Sequence, residues 1–185
     1  IRHEERIFKL MEAIANPKPV KLLNYGPVME NIITGNVNVR TLPNPYFHEK
    51  DSSTYITAGM LVVKDIKTGK RYTSIRRFQV IDKNKISALI ASPYLTNQFL
   101  EMEKQNKPLE VAIVLGYDVP FLLASQVSSE LYGVDKYEID SAIRGEALEV
   151  VKCKTVDLEV PAHAEIVLEG IMVPNRREKE GPFGE

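Results

Sequence analysis

The stretch that decides the fold is "TYITAGMLVVKDIKTGKRYTSIRRFQVIDKNKISALIAS", residues 54–92. "TYITAGMLVVKD" and "RYTSIRRFQVID" are rich in β-branched and aromatic residues and flank "IKTGK". Gly69 suits a turn position that needs a positive φ. "KISALIAS" follows the polar break "KNK". Three such segments in succession predict an antiparallel meander.

Working outward, "EERIFKLMEAIA" places Ile7, Leu10, Met11 and Ile14 at helical spacing. Asn16-Pro17 ends that helix, because a residue before proline avoids the α region. "KPVKLLNYGPVMENIITGN" predicts a short strand, a turn at Gly26-Pro27 and a short helix closed by Gly35. Residues 39–53 read as a proline-punctuated loop. Downstream, a helix is predicted from Pro93 to just before Pro108, then a buried strand in "LEVAIVLGYD". A short apolar helix in "VPFLLASQVSS" and another in "DKYEIDSAIRGE", capped by Gly145, come next. Two last strands are predicted in "ALEVVKCKTVDLEVPA" and "AEIVLEGIMVP", with Pro161 between them. The class is α+β: a split, barrel-like sheet with short helices across it and a helical N-terminal segment.

Bulk properties limit the function. The 185 residues hold 24 basic and 25 acidic side chains, for a net charge of -1. That balance argues against a nucleic-acid partner. No apolar run approaches the ~20 residues of a membrane span. Cys153 is the single cysteine, so no internal disulfide is possible and a reducing, cytoplasmic setting is expected. It reads as a small apolar residue within a strand. His3, His48 and His163 are too scattered in sequence to suggest a metal site.

Four phrases carry a resemblance. "LPNPYFHEKDSSTYITAG" (42–59) reads like "LPIPxxHExDxGxYIT". "EVAIVLGYDVPFLLAS" (110–125) has the cadence "xVAIxxGxxPxxxLAS". "EALEVVKCKTVDLEVPAHAEIVLEG" (146–170) and the closing "EGPFGE" (180–185) complete the set, in order. Together they resemble the UbiD family of decarboxylases, which act on unsaturated or aromatic carboxylic acids through prenylated FMN. The resemblance implies a split-barrel, flavin-binding domain over residues 46–185, preceded by a helical segment and linker over 1–45. It also implies a C-terminal oligomerisation domain after "EGPFGE", expected to be absent from this chain or supplied by a partner. The expected assembly is a homo-oligomer or a complex with such a partner.

The family's catalytic set is Glu-Arg-Glu. The glutamates fall on Glu180 and Glu185. The arginine motif "NVGxYRxQ" is matched by "YTSIRRFQ", which places it on Arg77. A buried glutamate suits protonation of the carbon that loses CO2. The arginine pairs with the substrate carboxylate or a neighbouring glutamate. The cofactor contacts implied are Arg77, Ser125, Gln126 and Lys136, with prenylated FMN or FMN as the ligand.

The chain departs from the family at the metal. The Asn, His and Glu ligand positions fall on Tyr72, Leu89 and Lys136, none of which suits a hard divalent cation. Lys136 could neutralise a phosphate directly; it reads equally well as a solvated helix residue. Arg76 would assist Arg77 only if the strand bulges, since adjacent residues face opposite sides. A divalent metal is therefore doubtful. The second reading is a member of this fold that lacks the cofactor site and serves as a binding or assembly subunit.

Overall fold

The computed structural model describes residues 5–128 and 133–184. The predicted meander is present as β2 (Tyr55–Lys64), β3 (Arg71–Asp82) and β4 (Lys85–Ala88). Gly69 closes the first turn at φ 71, in the left-handed region, and its N–H donates to the Asp65 carbonyl at 2.8 Å. The Asp65 carboxylate caps the same turn, accepting from the N–H groups of Lys67 and Thr68.

Two further strands, β5 (Leu109–Leu115) and β8 (Ile166–Met172), extend this to a five-stranded antiparallel sheet of order β4-β3-β2-β5-β8, which curls as a half-barrel. A smaller sheet has the order β1-β6-β7, from β1 (Lys21–Leu23), β6 (Glu149–Lys152) and β7 (Glu159–Pro161). β1 runs parallel to β6, so the N-terminal segment adds a strand to that sheet. Among the described residues the α-helices are α1 (Glu5–Ala15), α2 (Pro93–Lys104), α3 (Val119–Ser125) and α4 (Lys136–Arg144). α2 and α3 both start with proline in the first turn behind a side-chain cap, from Ser92 and Asp118 respectively. Gly145 ends α4 at φ 92.

Alternation along the strands buries both faces of the large sheet. Met60, Val62, Ala112 and Val114 face Phe121, Tyr137 and the small sheet. Leu61, Val63, Val111 and Ile113 face Leu95 and Phe99 of α2. A strand buried on both faces reads as a continuous apolar run, which is what "MLVV" and "VAIVL" are.

Two expectations need correction. No helix forms before Gly35; a single 3-10 turn, Pro27–Met29, stands in its place. "NIITGN" is β-branched and carries a glycine before its last residue, a poor helix sequence. The single strand expected through "ALEVVKCKTVDLEVPA" is two, β6 and β7, paired antiparallel. The Glu169 carboxylate accepts the N–H groups of Lys154 and Thr155 at 2.9 and 2.6 Å and so holds the turn between them. Pro161 does stand between the last two strands, β7 and β8. It ends β7, at the edge of its sheet, where a missing N–H costs no ladder bond.

One irregularity positions the candidate site. β2 and β3 shift register between Ile56↔Phe78 and Gly59↔Arg76. Two residues of β2 therefore oppose one residue of β3, and that residue is Arg77. A bulge bends the strand and re-aims side chains locally.

Candidate active site

Arg77 leaves β3 on the face shared by Arg71, Thr73, Ile75 and Gln79. It meets Glu180 in a two-pronged ion pair: Nε donates to Oε1 at 2.8 Å and Nη2 to Oε2 at 2.9 Å. Planar guanidinium and carboxylate groups favour this fork. The Glu180 hydrogen bond, helped by its charge, holds the guanidinium above its ordinary pKa despite the opposing effect of burial. The Arg77 side chain keeps 36% of its surface exposed, while Glu180 keeps 8%. The acid is thus sheltered and its partner remains reachable.

The loop that delivers Glu180 is itself docked on four other groups. The Gly181 N–H donates to Gln79 Oε1 at 3.2 Å. The Pro182 carbonyl accepts from the Ser52 N–H at 3.0 Å and the Tyr55 hydroxyl at 3.3 Å. The Gly184 N–H donates to Asp51 Oδ1 at 2.8 Å. Gly181 and Gly184 sit at φ 88 and 82, where only glycine is unstrained. Phe183 lies under the Arg77 guanidinium at 5.0 Å and stacks on Tyr55 at 4.5 Å. A Gly-Pro-x-Gly spacing lets the backbone make close approaches. Its observed work is to reach Gln79 and Asp51.

Asp51 organises this corner. Its Oδ2 accepts the N–H groups of Phe47 and His48 at 3.1 and 3.0 Å. Burial alone would raise its pKa. The three backbone donors outweigh that and hold it below the ordinary value. His48 enters chiefly through its backbone, and its ring is half exposed. Sequence reading passed over Asp51, Gln79, Tyr55 and Phe183. The available signal was the "HEKD" phrase, whose last residue rather than its first carries the contact.

The other sequence candidates divide. Lys136, at the start of α4, is buried, so the solvated-helix reading is excluded. Its Nζ donates to the carbonyls of Thr73 and Ser125, each at 2.8 Å, and lies 4.3 Å from the centre of the Tyr72 ring. Tyr72 and Lys136 therefore do come together. Leu89 does not join them. It is 55% exposed and borders a cleft of about 1930 Å3, whose other walls include residues 28–39 and β8. Past β4 the chain meets Tyr72 through the Ser92 hydroxyl and the Tyr94 ring instead. Glu180 borders the same cleft, whereas Arg77, Tyr72, Ser125 and Lys136 do not.

Ser125 is buried, with its hydroxyl committed to the Leu122 carbonyl at 2.7 Å. Exposed Gln126 donates to that hydroxyl at 2.8 Å. Arg76 does not assist Arg77: the bulge lies in β2, so the two arginines keep opposite faces. His163 pairs with Glu149 at the surface, 2.9 Å away. Burial, then Glu169, pushes the Cys153 thiol up to about 12, so it is inert at neutral pH. Glu185 and His3 lie outside the described residues.

Whether these residues fit a flavin is tested by β3. β4 pairs with β3 only from Phe78 onward, so the outer edge of residues 71–77 has no strand neighbour. Along it the Thr73 and Ser74 hydroxyls and Arg76 Nε are buried without a hydrogen-bond partner. Buried orphans of this kind cost free energy unless a ligand meets them. Ile75 stands between Thr73 and Arg77, 37% exposed and apolar. On that face an apolar platform with the unpaired Thr73 hydroxyl at one end and the Arg77–Glu180 pair at the other fits an anionic, ring-bearing cofactor. The same test fails for a divalent metal. Tyr72 and Lys136 offer a ring and an ammonium, Leu89 is elsewhere, and no cluster of three His, Cys, Asp or Glu side chains exists among the described residues.

Comparison with known proteins agrees with this geometry. Residues 21–185 match the family described as UbiD, the 3-octaprenyl-4-hydroxybenzoate carboxy-lyase Rift-related domain. The anhydromevalonate phosphate decarboxylase of Methanothermobacter thermautotrophicus is 34% identical over 182 residues, which is 98% of this chain and 42% of that protein. The phenolic acid decarboxylase of Bacillus subtilis is 33% identical over 175 residues, 91% of this chain and 37% of that protein. Among solved structures, an evolved dimeric form of the UbiD-class enzyme HmfF from Pelotomaculum thermopropionicum, in complex with prFMN, superposes with a TM-score of 0.94 at 44% identity. That match covers 98% of this chain and 43% of HmfF. The chain thus spans about two fifths of the length of these relatives.

Proposed function

The chain belongs to the UbiD family, and from that premise we propose that it is the flavin-binding, acid-bearing part of a decarboxylase. The observation that carries the proposal is the Arg77–Glu180 fork, formed between a strand and a loop 103 residues apart and held in place by Asp51 and Gln79. The substrate class is a small unsaturated or aromatic carboxylic acid. The setting is cytoplasmic; no helix among the described residues is long and apolar enough to cross a membrane.

Prenylated FMN would be held along the outer edge of β3 by Thr73, Ile75 and Arg77. When bound, it supplies the electron sink for the pair left as the carbon–CO2 bond breaks. The protein's own part is positional and protolytic. Arg77 fixes the orientation of the Glu180 carboxyl, and the docked loop keeps bulk water from it. Glu180, ion-paired in the resting site, takes up a proton from water by way of Glu185, the second acid of the set, and then delivers it to the carbon that has lost CO2. Geometric control of this kind is worth about 10²–10⁴ in rate. Homo-oligomerisation is the proposed assembly; Ile7, Phe8 and Met11 on α1 are all more than half exposed and would gain from cover.

The test is co-expression with a flavin prenyltransferase, followed by a visible absorption spectrum and a native mass. A flavin spectrum and the matching mass increment are expected. A colourless protein of apo mass would refute the reading. In the loaded protein, Glu180→Gln should keep the flavin and lose CO2 release by at least about 10²-fold. Unchanged turnover would remove Glu180 from the proton step.

A further inference from the structure

A lysine is a poor choice for the first residue of a buried helix. The N-terminus of α4 already carries the positive end of its dipole, and burial of an ammonium costs several kcal/mol unless oxygen atoms replace its water. Lys136 nonetheless occupies that position at 3% exposure. The nearby helix cap, Asp135, is engaged by Arg71 at 2.8 Å. The arrangement that compensates Lys136 includes two carbonyl oxygens at 2.8 Å, from β3 and from the end of α3, and the face of Tyr72 at 4.3 Å. Carbonyl oxygens and a π face are what a desolvated cation accepts.

A second observation points to a ligand at the same place. Thr73, whose carbonyl holds Lys136, is 1% exposed, and its hydroxyl has no partner. The Ser74 hydroxyl and Arg76 Nε, on the opposite face of β3, are likewise buried and unpaired. The Thr73 hydroxyl is thus a donor without an acceptor on the residue whose carbonyl meets a fixed positive charge. The complement is a multiply charged oxyanion, and the flavin of the proposed function carries one in its phosphate.

We propose that the Lys136 ammonium is a built-in cation for the flavin phosphate and replaces the divalent metal that the family places at this position. It rests on the flavin reading above. A fixed ammonium neutralises a phosphate without the open coordination sphere a metal needs, which accounts together for the absence of a carboxylate at position 136 and of an Asn at position 72. The phosphate would also satisfy the Thr73 hydroxyl.

Three measurements on the 185-residue chain test this. FMN and riboflavin are titrated by flavin fluorescence, with EDTA and then with Mn²⁺ or Mg²⁺ in excess. FMN should bind at least about tenfold tighter than riboflavin, and neither chelator nor metal should change that preference. Loss of FMN binding in EDTA, restored by Mn²⁺, would overturn the proposal while leaving the flavin reading intact. Failure to bind either flavin under any condition would sink both. In Lys136→Met the FMN preference should fall about 10- to 100-fold. Should that variant not fold, Thr73→Val decides: it removes only an unpaired hydroxyl, so the apo protein should melt no lower. FMN affinity should still drop several-fold, with riboflavin affinity unchanged. Equal FMN affinity in Thr73→Val and the parent would show that the phosphate lies elsewhere.

Discussion

Arg71 and Arg77 lie on the same face of β3, six residues apart, and carry the same chemistry to different ends. Each guanidinium grips carboxylate and covers an aromatic ring, Tyr137 at 4.9 Å for Arg71 and Phe183 at 5.0 Å for Arg77. Arg71 is closed on all sides. It reaches Asp135 at 2.8 Å and Glu159 at 2.7 Å, tying α4 and β7 to the sheet, and only 14% of its side chain is exposed. Burial would lower its pKa, and the two carboxylates more than offset that. Arg77 has one carboxylate, brought by a loop, and more than a third of its surface open. An arginine that holds a fold together spends its donors on the fold. One poised for a ligand keeps some in reserve.

The largest effect expected from this contrast is on stability. Arg71→Ala leaves buried Asp135 without its cation and should cost about 3 kcal/mol in urea unfolding. A loss within error would mean that Arg71 is not the closed, structural member of the pair. Asp51→Asn comes next. It weakens a carboxylate that three backbone N–H groups share and should cost about 1–2 kcal/mol, with faster amide exchange at Gly184 and none of that change at the Arg71 corner. Acid should act in the same place. The folded pKa of Asp51 lies below its unfolded value, so its contribution is complete above the ordinary Asp range and is lost as pH falls toward the folded value. Protection of the Gly184 amide, referred to its intrinsic exchange rate at each pH, should therefore fall as pH drops below the ordinary Asp range; unchanged protection would discard Asp51 as the anchor. Arg77→Ala should cost least, at or below about 1 kcal/mol, because water screens a pair this exposed. Flavin binding should nevertheless be lost. A large stability loss there would erase the distinction between the two arginines.

Much of the scaffold was legible in the sequence because it follows local rules. The meander showed in the spacing of its apolar runs around Gly69, and four helices showed in their Pro, Asn and Gly ends. The two misreadings have one cause. Glycine at position 35 and proline at position 161 mark boundaries without saying what they bound. At the site, Arg77 and Glu180 were found through short phrases, since a motif keeps the residue types its chemistry needs. Asp51 was missed because its role is to hold a loop 133 residues away. Leu89 was placed beside Tyr72 by counting along the chain, and a count cannot see that Ser92 and Tyr94 are the residues that turn back toward β3.

The sequence by itself determined the strand periods, the turn glycines and the presence of a lysine where a carboxylate was expected. Those depend on side-chain chemistry and on neighbours a few residues apart. Only the tertiary structure decided that Lys136 is buried among carbonyls rather than solvated, that Arg77 stands opposite a bulge, and that Glu180 meets it. Each of these is a contact between segments far apart in the chain. Their energies depend on burial and on the geometry of approach, which packing sets and composition does not encode.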